Sequence, residues 1–213
     1  MMVCEKSLPF PMPRIPSSKQ KMVTELRRSE ILAAATEVFA TKGFDDTLME
    51  EIARAAGLAK GTLYLYFKSK DDIYQAVVRQ TLDEVDALTR QLVDSSPSFA
   101  DRYAAFIRVR IAFWQDHDML YRVILSMGRA PAYRRQSIGW QSEAVSYLAS
   151  LLEQGAAAGE FPQQDFVAAA WTTMDAIRGV NERRVFSDSA SRTVEEDTAF
   201  LTGFLLKAVQ APR

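Results

Sequence analysis

Apolar residues recur along most of the chain at the spacing of an amphipathic α-helix. Between positions 25 and 42, the apolar residues that share one helical face are Ile31, Ala34, Ala35, Val38 and Phe39. Gly43 follows them and predicts the end of this first helix. Further helices are predicted near residues 47–57, 60–67, 69–94, 99–115, 118–126, 132–157, 164–183 and 194–210. The pattern therefore predicts an all-α fold of about nine helices.

One short segment has the composition of a β-strand instead. Residues 62–67 are rich in β-forming side chains, so local propensity alone favours a strand. No second strand is predicted with which it could pair, and we therefore interpret the segment as a short helix. In that helix Leu63 and Phe67 lie four residues apart and point inward.

Polar side chains mark the beginnings of two helices. Thr47 and Glu50 have the spacing of a capping box, in which each side chain accepts a hydrogen bond from the backbone N–H of the other residue. Ser69 is predicted to cap the long helix that extends to about residue 94. That helix follows the short one directly.

The first 22 residues differ in composition from the rest. Four of the eight prolines lie here, namely Pro9, Pro11, Pro13 and Pro16. This spacing excludes a continuous helix and predicts an extended arm over residues 1–22. The arm has no continuous apolar core of the kind that secretory signals contain. Its basic junction with the folded body could enter a DNA minor groove or be merely solvated.

The amino-acid composition excludes most kinds of enzymatic catalysis. The chain of 213 residues has a formal net charge of −1, one cysteine and one histidine. Cys4 cannot form an internal disulfide, and His117 lies between two aspartates, where a helix junction is favoured over a ligand site. No nucleophile, zinc or phosphate-loop motif occurs, and no apolar run reaches the roughly 20 residues of a membrane span. We expect no enzyme, cofactor, metal site or membrane partner.

The segment 47–67 combines a helix, a short turn that contains Gly57 and a second short helix. This is the spacing of a helix-turn-helix, in which the first helix braces the second one against the DNA major groove. The major groove is about 12 Å wide and admits one helix. The first 70 residues are mildly basic and the remainder mildly acidic, which is compatible with DNA binding at the front of the chain.

Residues 28–78 resemble the N-terminal domain of the tetracycline-repressor (TetR) family of bacterial transcriptional regulators. The residues that carry this resemblance are Gly43, Phe44, Thr47, Ile52, Ala53, Ala56, Gly57, Leu58, Gly61, Thr62, Leu63, Tyr64, Tyr66, Phe67, Ser69 and Lys70. Leu48 and Ala59 depart from the pattern, because small hydroxyl residues are common at these two positions. Both changes reduce the expected phosphate contacts.

The resemblance implies which residues contact DNA. They are Thr47, Lys60, Gly61, Thr62, Tyr64, Tyr66 and Lys70. Lys60, Gly61 and Thr62 open the recognition helix and face bases, whereas Thr47 and Lys70 meet phosphates. Tyr64 and Tyr66 reach the backbone or thymine methyl groups. Other roles stay open: a helix cap for Thr47, a core position for Tyr64, and solvated charges for the two lysines.

The resemblance also implies a division into a helix-turn-helix domain at 23–70 and a ligand-binding and dimerisation domain at 71–213. Large aromatic and methionine side chains of the second part suit an apolar pocket, although such stripes also form plain cores. The candidate ligand-binding residues are Phe106, Trp114, Tyr121, Met127, Trp140, Trp171 and Met174. The helices near 164–183 and 194–210 are expected to form the dimer interface.

The predicted function is that of a cytoplasmic, homodimeric repressor that binds a palindromic operator in double-stranded DNA. A small apolar or aromatic effector of unknown identity would release it by favouring a conformation whose recognition helices no longer match the operator. The alternative is a helical small-molecule-binding or protein-interaction module that does not bind DNA.

Overall fold

The structure is a computed structural model that describes residues 18–129, 131–186 and 192–209. Within these ranges the chain forms nine α-helices and no strand, as the sequence pattern predicts. The helices are α1 (Ser18–Lys42), α2 (Met49–Ala55), α3 (Lys60–Tyr66), α4 (Lys70–Asp94), α5 (Phe99–Asp116), α6 (Asp118–Arg129), α7 (Pro131–Ala157), α8 (Phe166–Phe186) and α9 (Val194–Val209). No helix in the described ranges is both long enough and apolar enough to cross a bilayer.

Helix α1 begins earlier than the sequence analysis places it. It starts at Ser18 and so includes the last five residues of the predicted arm, of which residues 1–17 lie outside the described chain. Pro16 is the last proline before this helix, so no proline interrupts the segment that follows. The beginning of α1 is exposed, and its buried face starts at Ile31.

Helices α1–α3 and the start of α4 enclose one cluster of buried side chains, the N-terminal core. Its fully buried members include Ile31, Ala35, Phe39, Ile52, Leu63, Ile73 and Val78. Leu63 and Phe67 point into this cluster, so the short segment rich in β-formers is a helix, as predicted. The contacts that bury these side chains override the local strand propensity.

Helix α5 lies at the centre of the second cluster, the C-terminal core. It packs against α4, α7, α8 and α9. The fully buried residues of this cluster include Tyr103, Phe106, Ile107, Ile111, Leu148, Leu152 and Ala170. The Tyr103 and Thr173 hydroxyls lie 2.7 Å apart and connect α5 to α8.

Two helices connect the two cores. Helix α4 has 25 residues and spans about 37 Å at 1.5 Å per residue. Its start lies in the N-terminal core, and Val93 near its end lies in the C-terminal core. Helix α6 places Leu120, Val123 and Met127 in the N-terminal core. A displacement of either helix therefore changes the packing in both parts of the chain.

Candidate nucleic-acid interface and internal cavity

The helix-turn-helix is formed by α2, a tight turn and α3. Gly57 has a φ of +65°, a left-handed conformation that favours glycine, and its N–H donates to the Arg54 carbonyl at 3.1 Å. Leu58 N–H donates to the Ala53 carbonyl at 2.8 Å. These bonds end α2 and redirect the chain into α3 within four residues. The predicted turn therefore lies where the sequence placed it.

Thr47 does not form the predicted capping box. Its side chain is 1% exposed, and its hydroxyl donates to the Gly43 carbonyl at 2.6 Å. The N-cap of α2 is Leu48, whose N–H donates to the Glu51 carboxylate at 3.1 Å. Only the Glu51 half of a capping box forms, because a leucine side chain has no acceptor, and the Thr47 hydroxyl instead bonds to a carbonyl just after α1. The Thr47 side chain is thus turned away from solvent, where a phosphate would lie.

The outward face of α3 carries most of the remaining candidates. Leu63 is fully buried, whereas Tyr64 is 44% exposed and Leu65 is 83% exposed. Thr62 and Tyr66 are half-buried. A side chain at Gly61 would meet no atom within 4 Å, so this residue leaves an open surface at the start of the helix. The exposed Leu65 was missed by the sequence analysis, although its position next to the inward Leu63 signals it.

Lys60 forms an ion pair with Glu50 of α2. The lysine and glutamate side chains are 52% and 47% exposed. Their hydrogen bond raises the pKa of Lys60 and lowers the pKa of Glu50, so both groups are charged at neutral pH. A phosphate or base that approaches Lys60 must therefore compete with the Glu50 carboxylate.

Lys70 is held within the N-terminal part of the chain. Its Nζ donates to the Phe44 carbonyl at 2.6 Å and to the Asp45 carbonyl at 2.9 Å. The same ammonium lies 4.5 Å from the centroid of the Phe44 ring. These contacts fix the turn between α1 and α2, and a phosphate that approaches Lys70 must compete with both carbonyls. The partners lie about 25 residues earlier, so local spacing does not reveal them.

Arg28 has a comparable positioning role on the other side. Its guanidinium donates to the Tyr66 carbonyl at 2.9 Å and lies 4.3 Å from the centroid of the Phe67 ring. It thereby joins α1 to the end of α3. The orientation of the recognition helix is consequently fixed by contacts from α1 as well as by the turn.

An internal cavity of about 180 Å³ lies between α4, α5, α6, α7 and α8. Four of the candidate ligand-binding residues line it, namely Trp114, Tyr121, Trp140 and Met174. Phe106 and Trp171 pack in or against the C-terminal core, and Met127 lies in the N-terminal core. These three residues do not line this cavity. Apolar spacing alone does not distinguish the cavity side of a helix from its core side.

A charged pair at this cavity was not predicted from the sequence. Arg110 of α5 is 4% exposed and forms an ion pair with Asp86 of α4. Arg110 interrupts an otherwise apolar helical face, four residues from Phe106 and four from Trp114. A charged residue in such a stripe is the signal that could have identified it.

The aromatic wall of the cavity is uncharged. The rings of Trp114 and Tyr121 lie 4.8 Å apart, and burial raises the pKa of Tyr121 well above its ordinary value. His117 lies at the junction of α5 and α6, as predicted, with its Nδ1 2.8 Å from the Phe113 carbonyl. Among the described residues, no group of acidic, cysteine and histidine side chains has the arrangement of a metal site.

Helices α8 and α9 present exposed apolar side chains. Val167, Phe200 and Phe204 are 56%, 57% and 62% exposed. The two phenylalanine rings stack on each other with centroids 6.2 Å apart. Large exposed apolar side chains that cluster in this way are typical of interaction surfaces. They lie on the two helices that the sequence analysis assigned to a dimer interface.

Comparison with known proteins supports the resemblance seen in the sequence. A family model described as "Bacterial regulatory proteins, tetR family" matches residues 31–77, which include α2 and α3. The chain is 34% identical over 98 residues to the transcriptional activator FasR of Mycolicibacterium smegmatis. It is 38% identical over 72 residues to the transcriptional repressor KstR2 of the same species. Over residues 31–77 the chain therefore has the sequence of a TetR-family regulator.

These alignments cover 46% and 34% of the chain, and 45% and 35% of FasR and KstR2. The chain therefore matches less than half the length of these two TetR-family relatives. The fold similarity extends further. The fatty acid degradation regulator FadR from Bacillus halodurans superposes with a TM-score of 0.77 at 20% identity, covering 87% of this chain and 97% of that one. The curated relatives are regulators rather than enzymes.

Proposed function

We propose that this chain is a TetR-family transcriptional regulator that binds a specific DNA sequence, and that a small molecule in the internal cavity releases it from DNA. The observation that carries the proposal is the outward face of α3. Tyr64 and Leu65 are exposed there on a helix that α2, Arg28 and Lys70 hold in place. It would act in the cytoplasm, where bacterial DNA lies.

In this proposal the N-terminal end of α3 enters the major groove. Lys60, Gly61 and Thr62 face the base edges, and the open surface at Gly61 permits a close approach. Tyr64 and Tyr66 contact the sugar–phosphate backbone or thymine methyl groups. For Thr47, only the region around its backbone, not its buried side chain, is proposed to lie near a phosphate.

We further propose that the chain binds DNA as a homodimer. Reading a palindromic operator requires two recognition helices separated by one helical turn of DNA, about 34–36 Å, or a multiple of it. The exposed Phe200 and Phe204 would pack against their copies in a second chain, burying apolar surface that is otherwise in contact with water. This dimer would fix the distance between the two copies of α3.

The cavity suits a small effector because its walls join both parts of the chain. Leu82 of α4, Ile124 of α6 and Trp140 of α7 all line it. An effector that binds a different arrangement of these helices more tightly shifts the population toward that arrangement. Because α4 leads directly into the helix-turn-helix, such a shift alters the spacing of the two recognition helices.

We assign the chain to the repressors, as its similarity to KstR2 favours, since a dimer bound over a promoter excludes the polymerase. FasR, by contrast, carries the name of an activator. A reporter gene under the promoter upstream of the coding region distinguishes repression from activation. Repression predicts higher expression when the gene for this chain is deleted.

The decisive experiment is a retardation assay with the full chain and the DNA upstream of its own gene. We expect a shifted band with the mass of a dimer or a pair of dimers, and an affinity that falls steeply as salt rises. A competitor duplex of scrambled sequence serves as the control. No shift at low salt contradicts the proposal and favours a helical module without DNA binding.

A further inference from the structure

Arg110 is a cation in the wall of a cavity whose lining is mostly apolar but includes Asp86, Arg178 and Glu182. It lies in the middle of α5, with 4% of its surface exposed, and its guanidinium is 4.5 Å from the centroid of the Phe106 ring. Trp114 lies one turn further along the same helix and lines the same cavity. A desolvated cation in such surroundings is costly unless its N–H groups are paired.

The hydrogen-bonding capacity of Arg110 is only partly used. A guanidinium offers five N–H donors. The Nη2 group donates to the Asp86 carboxylate, and Nε has no partner in the part of the chain that the structure describes. Burial lowers the pKa of Arg110 from its ordinary value, and Asp86 opposes this effect. Among the described residues, Asp86 is the carboxylate that is bonded to this cation.

The other charged groups at the cavity do not supply further acceptors. Asp86 keeps 25% of its side chain exposed and is partly hydrated. Arg178 pairs with Asp175 at 2.8 Å, and Asn181 donates its side-chain amide to the Arg110 carbonyl at 3.2 Å. Glu182 lines the cavity, but no hydrogen bond joins it to Arg110 among the contacts of the described residues. A ligand oxygen would fill this deficit.

We propose that the cavity takes an amphipathic acid whose carboxylate accepts hydrogen bonds from Arg110 while its apolar body lies against Trp114, Tyr121 and Trp140. This deepens the proposed function, since it names the chemical class of the effector of the same cavity. The size fits a single ring or a short chain: an apolar protein cavity of about 150 Å³ holds benzene, and this one measures about 180 Å³.

Such a ligand acts directly on the contact between α4 and α5. When it binds Arg110, its carboxylate lies near the Asp86 carboxylate, and the two negative charges repel each other. Asp86 lies on α4, about four turns from the start of that helix, and α4 follows α3 directly. Weakening the Asp86–Arg110 ion pair therefore loosens the helix on which the helix-turn-helix is mounted.

The first test is a fluorescence titration of the full chain without DNA. Trp114 and Trp140 line the cavity, so their emission reports an occupant. The probes are phenylacetate, 3-phenylpropanoate and octanoate, each compared with the alcohol and the amine of the same carbon skeleton. We expect at least one acid to bind ten-fold or more tightly than its alcohol and its amine. Equal affinities, a preference for an amine, or no acid binding at millimolar concentration overturns the proposal.

The second test uses variants at the ion pair. Asp86→Asn removes the competitor of the ligand and should tighten acid binding by about ten-fold. Arg110→Gln should weaken acid binding by about 10- to 100-fold, the range that a hydrogen bond to a charged group represents. Arg108→Gln, an exposed arginine on the same helix, is the matched control and should leave the affinity unchanged.

The outcomes separate this proposal from the regulatory function on which it rests. Circular dichroism shows whether Arg110→Gln folds. If it does not fold, the affinity of Asp86→Asn for the acids still tests the proposal. Unchanged or weaker acid binding by Asp86→Asn, or an equal loss in Arg108→Gln, contradicts the acid site. A chain that binds its operator but shows no preference for acids overturns only this inference. If the chain binds acids but does not bind DNA, only the proposed regulatory function is contradicted.

Discussion

Tyr133 of α7 donates its hydroxyl to the carboxylate of Asp71 in the first turn of α4. Its ring also contacts Phe44 and Tyr74, with centroids 6.2 and 5.7 Å away. Ser137 and Trp140, one and two turns further along α7, line the internal cavity. One face of α7 thus touches both the N-terminal core and the cavity, and it is a third connection beside α4 and α6.

Removing the Tyr133 hydroxyl should weaken the connection between cavity and helix-turn-helix. Tyr133→Phe keeps the ring contacts and loses a hydrogen bond to a charged group, which contributes about 1.5–3 kcal/mol. We expect the ratio of operator affinities without and with effector to fall several-fold, while the affinity without effector changes little. Retardation assays at a saturating effector concentration measure this ratio.

The matched control is Tyr147→Phe, which removes a hydroxyl from the same helix within the C-terminal part, where the Tyr147 ring stacks on Phe106. It should leave the ratio unchanged. If Tyr133→Phe responds to the effector as the unmodified chain does, α7 does not transmit the signal.

Lys70→Ala should act on folding rather than on phosphate binding. The substitution removes two hydrogen bonds to carbonyls, at 2.6 and 2.9 Å, and a contact with the Phe44 ring. We expect the free energy of unfolding to fall by about 1–3 kcal/mol, as measured by urea denaturation. The slope of log K against log salt for DNA binding should stay the same.

Lys68→Ala provides the comparison, since Lys68 is an exposed lysine two residues earlier. Its effect on stability should stay within about 0.5 kcal/mol. A Lys70→Ala variant with unchanged stability and a salt slope reduced by about one per subunit would instead identify a phosphate contact.

Features that depend on local geometry can be predicted from the sequence more reliably than contacts between separate segments. Gly57 and Leu63 have functions that depend on local geometry, a left-handed turn and an inward helical position, and both were predicted correctly. Lys70 and Thr47 bond instead to carbonyls of the turn between α1 and α2, and helical periodicity does not predict where these carbonyls lie. The partner of Lys70 is 26 residues away, whereas that of Thr47 is only four residues away but lies outside any helix.

The cavity was predictable only in part for a related reason. Trp114, Tyr121 and Trp140 were identified as aromatic side chains in a helical stripe, but so was Met127, which lies in the N-terminal core. Both kinds of residue have the same spacing on their helices. What distinguishes them is the rotation of α6 between its two neighbours, and this depends on the packing of the whole chain.

Leu65 should contribute to the choice of operator. It is 83% exposed beside Tyr64, and an apolar side chain in the major groove contacts the methyl group of thymine. Leu65→Ala should leave stability unchanged and reduce discrimination at one base pair by about 1–3 kcal/mol. Binding to a set of operator variants measures this discrimination. Leu88→Ala, an exposed leucine on α4, should alter neither quantity; a uniform loss for all operators in Leu65→Ala would argue against base contact.

Glu50→Gln should strengthen DNA binding. Glu50 pairs with Lys60, and their hydrogen bond lowers the pKa of the carboxyl group, so the negative charge persists at neutral pH. The substitution removes this charge next to α3 and frees the ammonium for a phosphate or a base. We expect a higher affinity for all operators and a steeper salt dependence. Glu84→Gln, an exposed glutamate on α4, is the control, and an unchanged affinity in Glu50→Gln would mean that Lys60 does not face the DNA.

The exposed phenylalanines of α9 should decide whether the chain dimerises. In a two-fold arrangement Phe200 and Phe204 of each copy meet the same surface of the other, and a carboxylate placed there would be buried opposite its own copy. Phe204→Asp should therefore shift the chain to a monomer at micromolar concentration, as measured by light scattering. Because a monomer carries one recognition helix, binding to the full palindrome should fall to the weak level of a half-site. Leu88→Glu, which also adds a charge at an exposed leucine, should remain dimeric. If Phe204→Asp stays dimeric and binds the palindrome normally, the interface does not include this face of α9.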